Sequence, residues 1–122
     1  MSEQVSSLTL VLGERRSGKM HKALEMAKGH GRLVCLIVPH LEVRARRAEM
    51  ASKGVMVFSD RNVGMRKRRD LAFVIDRASA LVISRFMAPD VPVYATSYRS
   101  RTDPWIHSLE VAGARIVEAV QP

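Results

Sequence analysis

The chain is poor in several things, and each shortage excludes a class of protein. It has one cysteine, Cys35, in 122 residues, so no disulfide framework within the chain holds it together. Cys35 lies inside an apolar run, where a thiol is inert, and a lone buried thiol fits a reducing cytoplasm. Aromatics are scarce: three Phe, two Tyr and one Trp are too few for a stacking platform of the kind that grips single-stranded nucleic acid. No apolar run approaches the roughly 20 residues of a membrane span, so no membrane role is expected. The start, Met1 to Ser7, is polar and carries Glu3, and shows no signal-peptide pattern. The four histidines, His21, His30, His40 and His107, are scattered singly and lack metal-ligand spacing.

Acidic residues are also outnumbered. Twelve Asp and Glu face twenty Lys and Arg, for a net charge of +8, and fifteen of the bases are arginine. Arginine offers a planar fork that matches phosphate, where lysine is a point charge. The bases cluster at Arg44, Arg46 and Arg47, and again at Arg66, Lys67, Arg68 and Arg69. Such clusters point to a polyanionic partner, nucleic acid first and DNA in preference, held through its phosphate backbone. The plainer reading is a solvated basic surface.

With 47% hydrophobic residues the chain can build a core, and its length suits a single domain over residues 1–122. Ser7 to Leu12 reads as a strand, and Met20, Ala23, Leu24 and Ala27 share one face of a helix that Gly29 ends. Leu33 to Val38 is a strand buried on both faces, stopped by Pro39. A basic helix is expected from Leu41 to Lys53, then a strand at Val55 to Phe58. Leu71 to Ile75 is another buried strand, followed by a helix over Ala78 to Phe86 and a strand at Val91 to Thr96. Asp103-Pro104 announces a helix, and Arg115 to Val120 a last strand at the sheet edge. This alternation predicts an α/β fold: a mostly parallel sheet of five to six strands with helices on both faces.

One segment carries chemistry. Gly13-Glu14-Arg15-Arg16-Ser17-Gly18-Lys19 has the form G-x-x-x-x-G-K between a strand and a helix. Such a loop cradles phosphates with backbone N–H groups, its glycines allow close approach, and its lysine reaches the β- and γ-phosphates. The residue after the lysine is normally Ser or Thr, whose hydroxyl binds Mg²⁺. Here it is Met20, a soft thioether unsuited to a hard cation, so metal-assisted hydrolysis is in doubt. The alternative is an ordinary turn between strand and helix.

In order along the chain, these segments resemble the P-loop NTPase superfamily, in particular the ATPase core of helicases and phage terminase large subunits. Gly13 to Lys19 is similar to Walker A. Leu36-Ile37-Val38-Pro39 looks like the element after the first helix of those motors, and Leu71 to Asp76 like Walker B. Tyr94-Ala95-Thr96-Ser97 resembles their coupling motif. The resemblance implies ATP as cofactor, bound by Gly13, Glu14, Arg15, Arg16, Ser17, Gly18, Lys19 and Met20. It implies Lys19 and Asp76 as the catalytic pair, Asp76 holding Mg²⁺, and a protein partner or a homo-oligomer. Arg77 stands where many such ATPases have Glu to activate water. The string Arg16-Ser17-Gly18-Lys19 also occurs in small P-loop kinases. Three functions follow as expectations: a reduced viral or mobile-element motor ATPase on nucleic acid, an inactive scaffold binding nucleic acid or protein, and a small-molecule kinase.

Overall fold

The computed structural model describes residues 7–14, 18–61, 69–77, 80–86 and 90–119. In chain order they form β1 (Leu8–Leu12), α1 (Lys19–Lys28), β2 (Leu33–Val38), α2 (Val43–Met50), β3 (Met56–Ser59), β4 (Leu71–Ile75), α3 (Ala80–Phe86), β5 (Val93–Ser97), α4 (Pro104–Val111) and β6 (Arg115–Glu118). The basic helix expected from Leu41 to Lys53 is broken into three: 3₁₀ turns at His40–Glu42 and Ala51–Lys53 flank α2. The reason is local. Pro39 sets an extended entry, and Gly54, at φ 68°, closes the far end in a left-handed conformation that glycine adopts at little cost.

The six strands make one sheet in the order β3-β2-β4-β5-β1-β6, and every pairing is parallel. β1, β4 and β5 are buried at all five positions, as central strands covered on both faces must be. Alternate residues divide between two cores, because successive strand side chains point to opposite faces. Leu8, Leu10, Cys35, Ile37, Phe73 and Ile75 pack with Ile83 and Phe86 of α3 and Ile106 of α4. Val11, Val34, Leu36, Ala72 and Val74 pack with Ala23, Leu24 and Ala27 of α1 and Met50 of α2. Helices therefore cover both faces. The fold is α/β with a parallel sheet, as the alternation predicts.

Asp103 caps α4: its Oδ1 accepts the Trp105 N–H at 2.9 Å, and Pro104 fills the first helical position, where no N–H is required. Its Oδ2 accepts from Arg99 Nη1 at 2.8 Å. That hydrogen bond, first, holds the Asp103 carboxyl below the usual carboxylate range; desolvation opposes it, and the Trp105 N–H and the Arg99 charge add to the lowering. β6 lies at the sheet edge beside β1, where the sequence puts the last strand. No helix among the described residues is long and apolar enough to cross a membrane.

This topology positions a crevice. β1 leads into α1 on one face, while its neighbour β5 leads into α4 on the other. Connections that leave adjacent parallel strands toward opposite faces part at the carboxyl ends of those strands, and ligands bind in such openings.

Candidate functional site

The crevice begins at the loop after β1. Gly13 donates its N–H to Ser97 O at 3.2 Å, which ties the start of the loop to the end of β5. Gly18 precedes α1 at φ 81°, a left-handed conformation that an L side chain strains to adopt. Its carbonyl accepts the Lys22 N–H at 2.9 Å and so starts the helix. The next residue, Lys19, is only 7% exposed. Its Nζ donates to Glu14 O at 3.3 Å and lies 3.7 Å from the centroid of the Tyr98 ring. A buried ammonium held by one carbonyl and one aromatic face, at the amino end of a helix, is suited to an incoming anion. Arg15, Arg16 and Ser17 lie outside the described residues.

Asp76 follows β4, with β5 between it and the loop strand. Its N–H donates to Ile37 O at 3.0 Å, which fixes it at the tip of the sheet. Its Oδ1 accepts from Thr96 Oγ1 at 3.3 Å, and its Oδ2 from Arg46 Nη2 at 2.6 Å. Thr96 is fully buried, and its hydroxyl also accepts the Arg77 N–H at 3.0 Å. That bond holds Arg77 at φ 51°, the one described residue other than glycine with a positive φ. From there the Arg77 side chain pairs with Glu42 and places Nε 4.0 Å from Asp76 Oδ2.

Arg46 reaches this group from α2. Its Nη1 also donates to both oxygens of Glu49, at 3.1 and 3.2 Å. Burial acts to lower its pKa, but the bonds and charges of Asp76 and Glu49 outweigh it and raise the pKa above the ordinary arginine value. Its Nε is buried with no hydrogen-bond partner among the described residues. Gly18, Lys19, Met20, His21, Glu42, Arg46, Asp76, Arg77 and Tyr98 together line a cleft of about 460 Å³. A second hollow of about 300 Å³ lies across Tyr98, walled by Gly13, Glu14, Arg99, Ser100 and Glu118.

The remaining arginines and histidines are spread around the molecule. Arg44 is exposed on α2. Arg47 donates from Nε to Val57 O at 3.1 Å and lies over the Phe58 ring, so it covers the β3 edge. Arg69 is exposed, and its carbonyl accepts from Arg32. Arg66, Lys67 and Arg68 lie outside the described residues. Arg99 is paired with Asp103, and Arg101 with Glu110. His21 lines the cleft, exposed, 3.3 Å from Glu25. His30 sits at the opposite end of the sheet, in a 2.5 Å hydrogen bond with Tyr94 OH. Burial raises the Tyr94 pKa there, and the charge of Arg115 opposes it.

Sequence reasoning missed Tyr98 and Glu42 altogether, and it placed Arg46 in an outer basic cluster. A signal for Arg46 was present: Val43, Arg46 and Met50 recur at helical spacing, and Val43 and Met50 pack into the core.

Among the described residues, the groups that a P-loop offers to Mg²⁺ are replaced or engaged in this arrangement. The position next to Lys19 offers the sulfur of Met20, and both carboxylate oxygens of Asp76 are engaged, one of them by a guanidinium. Among the described residues no cluster of three His, Cys, Asp or Glu could hold a metal ion. No protein-family model matches the chain, and no curated protein matches it, so its function must be argued from this cleft itself.

Proposed function

We propose that this protein binds the phosphate tail of a nucleotide, ATP first, in the cleft between β1, β4 and β5, and that it works on or with nucleic acid. The supporting observation is the buried Lys19, directed into a cleft from the first turn of α1 behind a left-handed Gly18. Strand, loop, left-handed glycine, lysine and helix follow one another as anion cradling requires. Asp76 and Thr96, at the tips of the two neighbouring strands, would sense the far end of the bound phosphates through their shared hydrogen bond.

Nucleic acid as the partner is supported by the charge of +8 and by Arg44 and Arg69 on the exposed surface. Binding of this kind rests on phosphate contacts and weakens steeply with salt. The resemblance of the sequence segments to helicase and terminase motors suggests a role: a reduced P-loop motor, or a nucleotide-responsive module that joins one.

A second reading is favoured by one observation, the ion pair between Asp76 and Arg46. A carboxylate neutralised in this way, followed by Arg77 rather than an acid, is poorly placed to hold a metal ion or to activate water. Under this reading the protein is a nucleotide-binding scaffold without turnover. The experiment common to both is calorimetric titration of ATP into the wild-type chain and into Lys19→Ala. The wild type should bind, and loss of the ammonium should weaken binding by about tenfold or more. Equal affinities would remove the basis of the proposal. Steady-state hydrolysis then separates the two readings, since the scaffold shows none.

A further inference from the structure

A P-loop nucleotide normally arrives with a divalent cation, which spreads phosphate charge and orients the tail. In this cleft the groups that would receive that cation are replaced or occupied. Met20 stands where a hydroxyl would ligate. Asp76 Oδ2 holds Arg46 at 2.6 Å, and Asp76 Oδ1 holds Thr96. A cation bound through Asp76 would have to displace a guanidinium that two carboxylates anchor.

The same contacts deliver positive charge to the cleft by another route. Lys19, Arg46 and Arg77 line it against Glu42 and Asp76, three cations to two anions. Guanidinium groups present planar, directional donors that match phosphate oxygens. Arg46 is positioned rather than free: the side chain is 20% exposed, and Asp76 and Glu49 hold its two Nη atoms. Its Nε–H is buried and finds no acceptor among the described residues, which disfavours this resting arrangement by the desolvation of a charged donor. Rotation of the head group toward a bound phosphate would offer that donor an acceptor.

Resting on the reading of the cleft as a nucleotide site, we propose that Arg46, anchored by Asp76, takes the place of the divalent cation, so that the protein binds nucleoside polyphosphates free of magnesium. Arg46 is then a specificity-determining residue. Asp76 is a positioning residue that aims it, not a metal ligand. Arg77 supplies a second guanidinium once the phosphate tail competes for it with Glu42.

The test is calorimetric titration of the intact chain with ATP, and separately with inorganic tripolyphosphate, in EDTA and in excess Mg²⁺. Wild type should bind both ligands in EDTA at least as well as in Mg²⁺, within about threefold. Arg46→Met should lose about tenfold or more in EDTA and regain part of it in Mg²⁺, because Asp76 is then released. Arg46→Lys, which keeps the charge without the fork, should fall between them and serves if Arg46→Met does not fold. An arginine Nε–H resonance absent from both variants should shift when tripolyphosphate is added in EDTA.

Wild-type affinity that falls tenfold or more on removing Mg²⁺ would overturn this inference and leave the phosphate cradle standing. So would Arg46 variants that bind in EDTA like the wild type. No binding in either buffer, or binding indifferent to Lys19→Ala, would instead overturn the nucleotide reading on which it rests.

Discussion

Thr96→Val is the sharpest probe of how the two halves of the cleft are joined. Valine keeps the shape of threonine and removes only the hydroxyl. That hydroxyl accepts the Arg77 N–H at 3.0 Å and donates to Asp76 Oδ1 at 3.3 Å, from a fully buried side chain. One amide hydrogen bond contributes about 1 kcal/mol net, and one to a charged acceptor about 1.5–3 kcal/mol, less here because the contact is long. Together the two bonds are worth about 1–3 kcal/mol. Against a stability of roughly 5–15 kcal/mol that is a measurable fraction. In thermal unfolding each kcal/mol lowers the midpoint of a chain this size by about 3–6 °C.

Thr96→Ser is the paired control. It keeps the hydroxyl and loses a buried methyl, at a cost of about 1 kcal/mol. The two variants should thus be destabilised to a similar degree and differ in ligand binding. Valine frees Arg77 from its left-handed conformation and loosens Asp76, so tripolyphosphate affinity should fall. Serine should leave that affinity within about twofold of wild type. Equal affinities in the two variants, or a valine variant as stable as wild type, would refute the reasoning.

Three further outcomes are expected. Gly18→Ala meets nothing within 4 Å at its new Cβ, so only the backbone objects. At φ 81° the net loss should be about 1 kcal/mol, read as a lower urea midpoint at unchanged slope. Tyr98→Ala removes the ring beneath Lys19 Nζ and should tighten tripolyphosphate binding by about two- to fivefold; weaker binding would mean that the ring serves the anion rather than competes with it. Asp103→Ala should destabilise in a pH-dependent way. The folded carboxyl is depressed, so its stabilisation is present above the unfolded value near pH ~4 and disappears as pH falls through the lower folded value. The stability gap between wild type and Asp103→Ala, followed from pH 7 to pH 2 in urea melts, should close at the acid end.

The strands were the most legible part of the fold. Continuous apolar runs at Leu33–Val38 and Leu71–Ile75, too short for most helices and bounded by turn signals, read as buried strands, and both are strands with these bounds. Asp103-Pro104 marked the start of α4 to the residue, because a cap and a proline act through local geometry alone. Helix bounds were poorer where local preference yields to the chain's path, as at the 3₁₀ turns around α2. In the cleft, Gly18, Lys19, Met20 and Asp76 come together from positions the motif spacing had already marked. Arg46, Glu42 and Tyr98 join them from three other segments. Their pairing depends on which strands are neighbours, and the β3-β2-β4-β5-β1-β6 order cannot be read from local patterns. Composition counted Arg46 with Arg44 and Arg47, yet the rotation of about 100° per helical residue puts Arg46 on a different face from both.

The strand that carries the glycine loop has a bearing on how the protein is made. Among the described strands β1 comes first in the sequence, and its sheet partners, β5 and β6, come last. β2, β3 and β4 can pair among themselves earlier, since their contacts are closer in sequence. During synthesis β1 must therefore wait, an apolar segment without its sheet, until Val93–Ser97 has left the ribosome. Long-range closure of this kind slows folding and exposes sticky edges meanwhile. Cradle assembly and completion of the sheet should then be a single late event, and a nascent chain halted before β5 should neither bind phosphate nor resist protease.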